Sequence, residues 1–355
     1  MASTTQAVAV RLQELKDKTV SSETLTAAFG PDSLEIIVVK DLPERFIELR
    51  KRVLSQASYL ANLPDDELES LCSVESKYQV GWSFGKEALK SGKFDTLKGS
   101  YYVNCSFYQD KELQCIPAGK YSEFAQFSEP NRWPSPSSMP SFREDVMELC
   151  NLIIDIAVLV AGACDTFAEA NIEGYRKGYL QHVVKTSLTS KARLLHYFPQ
   201  ANESPDTQGK DEDDWCGTHL DHGCLTGLTS AMYVDESDIF KSKGSGTLAQ
   251  PHHDLAELEE SPDPKSGLYI CSRKGEVVKV NIPKDCLAFQ TGESLERITQ
   301  GKFKAVPHFV KGAKIPGKNI ARNTLAVFTQ PNLDEFVEEG KTFADFAREI
   351  VEKNY

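Results

Sequence analysis

The chain has 355 residues, of which 40% are hydrophobic and 26% charged, so it can bury a large core and form one large or two smaller domains. Its net charge of −12 argues against a nucleic-acid-binding surface, because phosphate recognition depends on clustered Lys and Arg. Nine cysteines without framework spacing, and a start without a charged-then-apolar signal, predict reduced thiols and a cytoplasmic location.

The first part of the chain is predicted to be mixed helix and strand. Residues 1–30 are expected to form a helical extension without recognisable chemistry, and residues 31–180 a mixed N-terminal α/β region. Within that region, the β-branched run 34–39 predicts a strand, and the helical spacing over 42–61 predicts a helix.

The longest apolar stretch, residues 152–164, predicts a buried scaffold helix rather than a membrane span. Asp155 interrupts it, and it is shorter than the ~20 apolar residues that cross a bilayer. Ser141 and Glu144 lie three residues apart just upstream and fit a capping box, so the helix is predicted over 141–170. No membrane partner is therefore expected.

Beyond residue 181 short β-rich runs alternate with Gly and Pro turns. This pattern is typical of a jelly-roll barrel, with strands predicted at residues 225–234, 267–272, 276–282, 287–291, 305–310 and 324–329. The fold class is therefore mainly β with flanking helices, with a double-stranded β-helix core over 181–335. The stretch 235–265, rich in Gly, Ser, Pro and acidic residues, predicts an inserted loop, and 336–355 a C-terminal helix.

A His-x-Asp pair, followed by a distant histidine, predicts a metal site. Side chains two apart on a strand share a face, so His219 and Asp221 can bind one metal ion together. With His308 from another strand they supply two imidazoles and one carboxylate, a set that suits non-heme Fe(II) because other coordination positions stay open. An isolated His-x-Asp arises often by chance, and the later residues in order are what favour a metal site.

Arg322 and Thr324 predict an anchor for an anionic cosubstrate. Arg322 lies 14 residues after His308, and the interval contains Gly and Pro turn formers, so a returning strand fits the gap. A guanidinium fork binds a carboxylate through two parallel hydrogen bonds, and the hydroxyl of Thr324 on the same face adds a third. The alternative is an ordinary ion pair of Arg322 on a barrel strand.

With these motifs the chain resembles the 2-oxoglutarate/Fe(II)-dependent dioxygenase superfamily, specifically the isopenicillin N synthase-like branch of plant-type oxygenases. The resemblance covers most of residues 34–331 and includes the segments 131–134, 193–199, 267–270, 275–280, 285–292 and 299–301. It implies metal ligands His219, Asp221 and His308, cosubstrate contacts from Arg322 and Thr324, and hydroxylation of a small organic molecule with release of succinate and CO2. It also implies that the protein uses Fe(II) as cofactor and 2-oxoglutarate and dioxygen as cosubstrates, and that ascorbate supports the reaction. It does not indicate a protein partner.

Two departures from that pattern keep alternatives open. Where the family has Asn-Tyr-Tyr-Pro, this chain has His196, Tyr197, Phe198 and Pro199, so the tyrosine that usually holds the cosubstrate corresponds to Phe198. His196 either takes the place of another cosubstrate contact or is a core histidine with a satisfied hydrogen bond. The spacing from Asp221 to His308 is also longer than usual. A 2-oxoglutarate-independent oxidase of the same fold, a non-catalytic binding module and a protein hydroxylase therefore remain alternatives.

The sequence assigns less specific roles to several other polar and aromatic residues. His222 is out of phase with Asp221 and is expected to face away from the metal or contact its ligands, and His252 and His253 are expected to be solvated. Arg193 is expected to be structural. Several aromatic residues are either core or pocket lining: Tyr101, Tyr102, Phe107, Trp133 and Trp215.

Overall fold

The computed structural model describes residues 7–86, 94–117, 119, 121–200, 216–237, 253–313, 315 and 317–354. The strands are β1 (Val8–Arg11), β2 (Ile36–Lys40), β3 (Gly81–Phe84), β4 (Lys98–Asn104), β5 (Lys191–Tyr197), β6 (Cys216–His219), β7 (Leu225–Thr229), β8 (Met232–Asp235), β9 (Gly267–Cys271), β10 (Val277–Val280), β11 (Leu287–Thr291), β12 (His308–Lys311), β13 (Ile320–Thr329), β14 (Phe336–Glu338) and β15 (Lys341–Thr342). The helices are α1 (Leu12–Lys16), α2 (Ser22–Phe29), α3 (Glu44–Ala61), α4 (Asp65–Ser70), α5 (Ala125–Ser128), α6 (Phe142–Asn171), α7 (Tyr179–Thr186), α8 (Glu293–Ile298) and α9 (Phe343–Asn354), with a 3-10 turn at Cys105–Tyr108.

Two sheets form the predicted jelly-roll core. The larger has the order β1-β2-β11-β7-β13-β5-β4-β3, with β8 also paired to β13, and the smaller has the order β10-β9-β12-β6. Side chains of both sheets pack together between them, including Val38 and Ala288 from the larger and Ile270 from the smaller. The opposite face of the larger sheet packs on α3 and α6. The larger sheet is thus buried on both faces, which explains its almost continuous apolar strands.

The long helix α6 is present as predicted, but its N-terminus differs from the prediction. Ser141 has a left-handed backbone (φ 58°) and its side chain makes no capping hydrogen bond, so the capping-box prediction is wrong. By length and apolar composition alone α6 would qualify as a membrane-spanning helix, but core helices of globular proteins meet the same criteria. Here it packs on α3 and α7, and its Asp145 accepts hydrogen bonds from Arg52 and Gln56 of α3.

Three other elements differ from the sequence prediction. The N-terminal extension contains β1, which pairs in parallel with β2, in addition to helices. The run predicted at 225–234 forms two strands, because the guanidinium of Arg50 binds the carbonyl oxygens of Ser230 and Ala231 at the break. The short hairpin of β14 and β15 precedes the C-terminal helix α9. Residues 238–252 of the predicted loop lie outside the described residues.

Candidate metal centre and cosubstrate pocket

Three predicted ligands meet at one corner of the sandwich. His219, at the end of β6, lies directly opposite His308, at the start of β12, and their ring centroids are 4.3 Å apart. The Nε2 atom of each histidine lies 3.8 Å from Oδ1 of Asp221, and all three ligand atoms lie within 4.8 Å of one another. The geometry and the two-imidazole, one-carboxylate composition fit Fe(II).

The sequence predicted that His219 and Asp221 lie on one strand. The structure differs, because β6 ends at His219 and does not include Asp221. Backbone hydrogen bonds fix the position of Asp221 instead. The amide of Glu293 donates to the Asp221 carbonyl at 2.8 Å, and the amide of Ser294 donates to the Gly223 carbonyl at 3.0 Å. This approach requires glycine at position 292, because a Cβ there would lie 2.4 Å from the Gly223 carbonyl oxygen and 2.9 Å from the Asp221 carbonyl oxygen.

Polar neighbours orient the ligands. Oδ2 of Asp221 accepts hydrogen bonds from Oγ1 of Thr226 at 2.6 Å and from Nε2 of Gln290 at 2.7 Å, which leaves Oδ1 toward the histidines. Nδ1 of His308 lies 2.9 Å from the Val306 carbonyl oxygen, so it carries the proton and Nε2 keeps the lone pair that a metal requires; the amide nitrogen of Gln290 lies 3.1 Å from this Nε2. The ligand atoms are therefore held before any ion binds.

Charge and burial act on the same two ligands. Burial lowers the pKa of His308 and thus favours the neutral imidazole that a metal requires, although the carboxylate of Asp221 opposes this effect. Burial alone would raise the pKa of Asp221. The neighbouring histidines and the hydrogen bonds from Thr226 and Gln290 outweigh it, so the pKa of Asp221 lies below its ordinary value and the carboxylate is ionised.

Thr226 and Gln290 were not predicted as site residues. Gln290 is fully buried in β11, between apolar residues of a strand that the sequence predicted correctly at 287–291. A lone amide in such a run was the available signal, since buried polar groups are almost always hydrogen-bonded.

A cavity of about 800 Å³ extends from the metal corner between the sheets. Along β13 alternate side chains point into it: Arg322, Thr324, Ala326 and Phe328. Apolar lining comes from Leu195, Leu228, Leu268 and Val310, and the mouth carries charged residues that include Glu259, Lys279 and Lys284. Its volume lies within the range of small-molecule binding sites.

Arg322 lies in this cavity with part of its guanidinium unpaired. The residue is only 5% exposed, and its Cζ lies 4.9 Å from the ring centroid of Tyr197, its register partner on β5. Nε and Nη1 have no hydrogen-bond partner among the described residues. Buried guanidinium donors normally have an acceptor, so Arg322 fits the predicted role of anion anchor, with Thr324 beside it in the wall.

The two other predicted cosubstrate contacts, His196 and Phe198, do not line the cavity. Strand alternation places Tyr197 inside and turns its neighbours to the opposite face. There Nδ1 of His196 donates to Oδ1 of Asn323 at 2.8 Å, and burial lowers the pKa of His196 to about 4. Phe198 packs edge to face on His196 and Phe84.

The remaining singled-out residues have other positions. His222 lies outside the ligand group, with Nδ1 2.5 Å from Oε2 of Glu293. His253 is exposed, whereas His252 lies outside the described residues. Arg193, expected to be structural, lines the cavity and donates to Oγ of Ser100. Four of the five aromatic residues singled out from the sequence are described by the structure, and none of these four lines the cavity: Tyr101, Tyr102, Phe107 and Trp133. Trp215 lies outside the described residues.

Comparison with known proteins agrees with this geometry. No protein-family model matches the chain. A curated relative, the 2-oxoglutarate-dependent dioxygenase tropC of Talaromyces stipitatus, is 27% identical over 222 residues, which cover 61% of this chain. Over that span this chain is similar to a 2-oxoglutarate-dependent dioxygenase. The match spans about half (52%) of the length of tropC.

Several solved structures share the fold of this chain. A full-length Neurospora crassa protein in complex with α-ketoglutarate (2-oxoglutarate) has a TM-score of 0.69 and 17% identity, and the alignment covers 98% of this chain and 96% of that one. A 2OG-Fe(II) oxygenase family protein from Caulobacter crescentus has a TM-score of 0.69 and 20% identity, with both chains covered completely. The narrower assignment to the isopenicillin N synthase-like branch remains a prediction.

Proposed function

We propose that this protein is an Fe(II)- and 2-oxoglutarate-dependent oxygenase that hydroxylates a small organic molecule and releases succinate and CO2. The observation that carries the proposal is the pairing of the His219, Asp221 and His308 corner with the unpaired donors of Arg322 inside one cavity. The curated relative is named as such a dioxygenase, and the Neurospora crassa protein was crystallised with the same cosubstrate. The cytoplasmic location stays a prediction.

Each part of the cavity has a definable task. The three ligands would hold iron, which supplies dioxygen activation driven by oxidative decarboxylation of the cosubstrate. Arg322 and Thr324 bind the far carboxylate of 2-oxoglutarate and so fix which end of the molecule faces the ligands. The apolar walls at Leu195, Leu228 and Val310 exclude water from the reacting centre.

The oxidase alternative rested on the loss of a tyrosine at position 198. Phe198, directly after β5, packs on His196 and is absent from the cavity lining, so its identity gives little support to a 2-oxoglutarate-independent oxidase. A binding module without turnover would not need a buried cation with open donors beside a complete ligand set.

The proposal is tested by succinate formation from 2-oxoglutarate with Fe(II), ascorbate and oxygen, alone and with a panel of small-molecule extracts. The wild type should form succinate at a rate that rises with one extract, and His308→Ala should form none. His222→Ala is the matched control, since this histidine is close to the ligands in sequence but pairs with Glu293, and it should retain turnover.

Two results would contradict the proposal. Iron binding without succinate under every condition would favour a binding module or an oxidase. Succinate formation that survives in His308→Ala would show that the turnover does not come from this site.

A further inference from the structure

Two hydrogen-bond donors from neighbouring strands converge on one oxygen of Asp221. Gln290 of β11 lies directly opposite Thr226 of β7, so the two side chains share one face of the larger sheet. Nε2 of Gln290 and Oγ1 of Thr226 donate to the same atom, Oδ2 of Asp221, at 2.7 and 2.6 Å. Both donors therefore act on one oxygen of this carboxylate and not on the pair.

We propose that Gln290 and Thr226 are positioning residues that keep Oδ2 off the metal, so that Asp221 binds it through Oδ1 alone. The inference rests on the proposed function, because it concerns the same metal site. Its consequence is the number of coordination positions that stay open. A six-coordinate ion held by three protein atoms keeps about three open positions, and a second oxygen from Asp221 would take one of them.

The lone pairs of Oδ2 carry the argument. A carboxylate oxygen offers about two lone-pair sites, and two charge-assisted hydrogen bonds occupy both on Oδ2. None is then left for a metal ion. Oδ1, by contrast, lies 3.8 Å from Nε2 of both His219 and His308. Removal of either donor would free one lone pair of Oδ2, and the carboxylate could then bind the ion through both oxygens.

Burial keeps this arrangement in place. Gln290, Thr226 and Asp221 are 0%, 1% and 5% exposed, so water does not readily replace a missing donor. Oε1 of Gln290 has no hydrogen-bond partner among the described residues, which costs free energy in a buried strand. An apolar side chain would avoid that cost. The amide at position 290 is therefore explained by the hydrogen bond that it donates and not by packing.

The same amide does not compete with a metal for His308. Nε2 of Gln290 lies 3.1 Å from Nε2 and 3.2 Å from Nδ1 of His308. A donor in line with the lone pair of one ring nitrogen would lie much farther from the other nitrogen. The nearly equal distances thus place the amide out of line with either lone pair, and Nε2 of His308 stays open to a metal.

The test counts the water molecules on Mn(II), which replaces Fe(II) in the full-length protein without turnover. Broadening of the Mn(II) electron paramagnetic resonance signal in water enriched in the magnetic oxygen isotope gives this count. Wild type should carry about three waters. Gln290→Met and Thr226→Val, which keep similar side-chain volumes, should each carry about one fewer, because the freed Oδ2 displaces a water. Each variant tests the inference by itself.

Thr329→Val is the matched control. Thr329 is as buried as Thr226, and its hydroxyl donates to the Leu225 carbonyl at 2.8 Å, so it bonds the backbone of β7 and not the ligand. Its water count should equal that of wild type. Mn(II) affinity is measured in the same titrations, and in Gln290→Met and Thr226→Val it should fall by less than about tenfold, because the second oxygen offsets the looser ligand.

Each contrary outcome points to a different failure. An unchanged water count in Gln290→Met and Thr226→Val overturns the inference even if Mn(II) affinity falls, because the two side chains would then only stabilise the ligand turn. An equal loss of water in Thr329→Val also overturns it, because any loosening of β7 would then have the same effect. Absence of Mn(II) binding to the wild type removes the proposed function itself.

Discussion

Two buried cations lie on the paired strands β5 and β13, and they differ in what surrounds them. Lys191 and Arg322 are each 5% exposed. Nζ of Lys191 donates to the Gln79 carbonyl at 2.8 Å and to the Gln126 carbonyl at 2.5 Å, beneath the ring of Phe127. Arg322 has two donors without acceptors among the described residues.

This difference separates a structural cation from a ligand-binding one. Lys191 is satisfied by the fold and lies outside the cavity lining, so its removal should affect stability. Arg322 points into the cavity with donors left open, so its removal should affect an anion that binds there. The buried fraction of the side chain does not distinguish these roles, because it is the same for both residues. The number of donors without a hydrogen-bond partner does distinguish them.

The largest expected effect is that of Arg322→Met on 2-oxoglutarate binding. Loss of two hydrogen bonds to a charged group, each of about 1.5–3 kcal/mol, should weaken affinity by a factor on the order of 10²–10⁴. The free energy of unfolding should hold or rise, because a buried cation with open donors is replaced by an apolar side chain. Calorimetry and urea denaturation measure the two quantities.

Arg322→Lys refines that experiment. It keeps the charge but loses the fork, so its affinity should fall between those of wild type and Arg322→Met. A Met variant that binds 2-oxoglutarate normally but unfolds more easily would assign Arg322 to the same structural class as Lys191.

Lys191→Met should give the converse result. Burial lowers the pKa of Lys191 to about 7, below the value of 10.5 that it has when exposed. Between these values the unfolded chain binds more protons than the folded one, so the stability of wild type relative to Lys191→Met should rise with pH. The slope is about 1.4 kcal/mol per pH unit, or about 3 kcal/mol between pH 7 and 9.

The measurement is urea unfolding of both proteins at several pH values, together with 2-oxoglutarate affinity at one. Affinity should stay within about twofold of wild type, because Lys191 does not line the cavity. A pH-independent stability difference would mean that Lys191 keeps its proton in the fold, and a loss of affinity would break the contrast with Arg322.

The sequence predicted what depends on short-range alternation. His219 and His308 come together as motif order predicted, and Arg322 and Thr324 share one face of β13 as strand alternation predicted. The conformation of Asp221 was not predictable in this way, because a turn held by Glu293 and Ser294, more than 70 residues away, places it. The hydrogen bond from Gln290 likewise depends on how two distant strands pair.

The sequence also could not predict which side chains of β5 face the cavity. Residues 197 and 198 are both aromatic, so the local pattern cannot tell which one faces the cavity. Only the pairing of β5 with β13, which sets Tyr197 opposite Arg322, decides it. The motif comparison assigned the cosubstrate contacts to the wrong face for this reason.

Phe198→Tyr carries the smallest expected effect and tests that orientation directly. If residue 198 faced the cavity, the new hydroxyl would restore the family's missing contact and strengthen 2-oxoglutarate binding. Because Phe198 packs on His196 and Phe84, the hydroxyl should instead leave affinity within about twofold of wild type. Tighter binding by calorimetry would mean that β5 is shifted by one residue, and Arg322 would then lose Tyr197 as its neighbour.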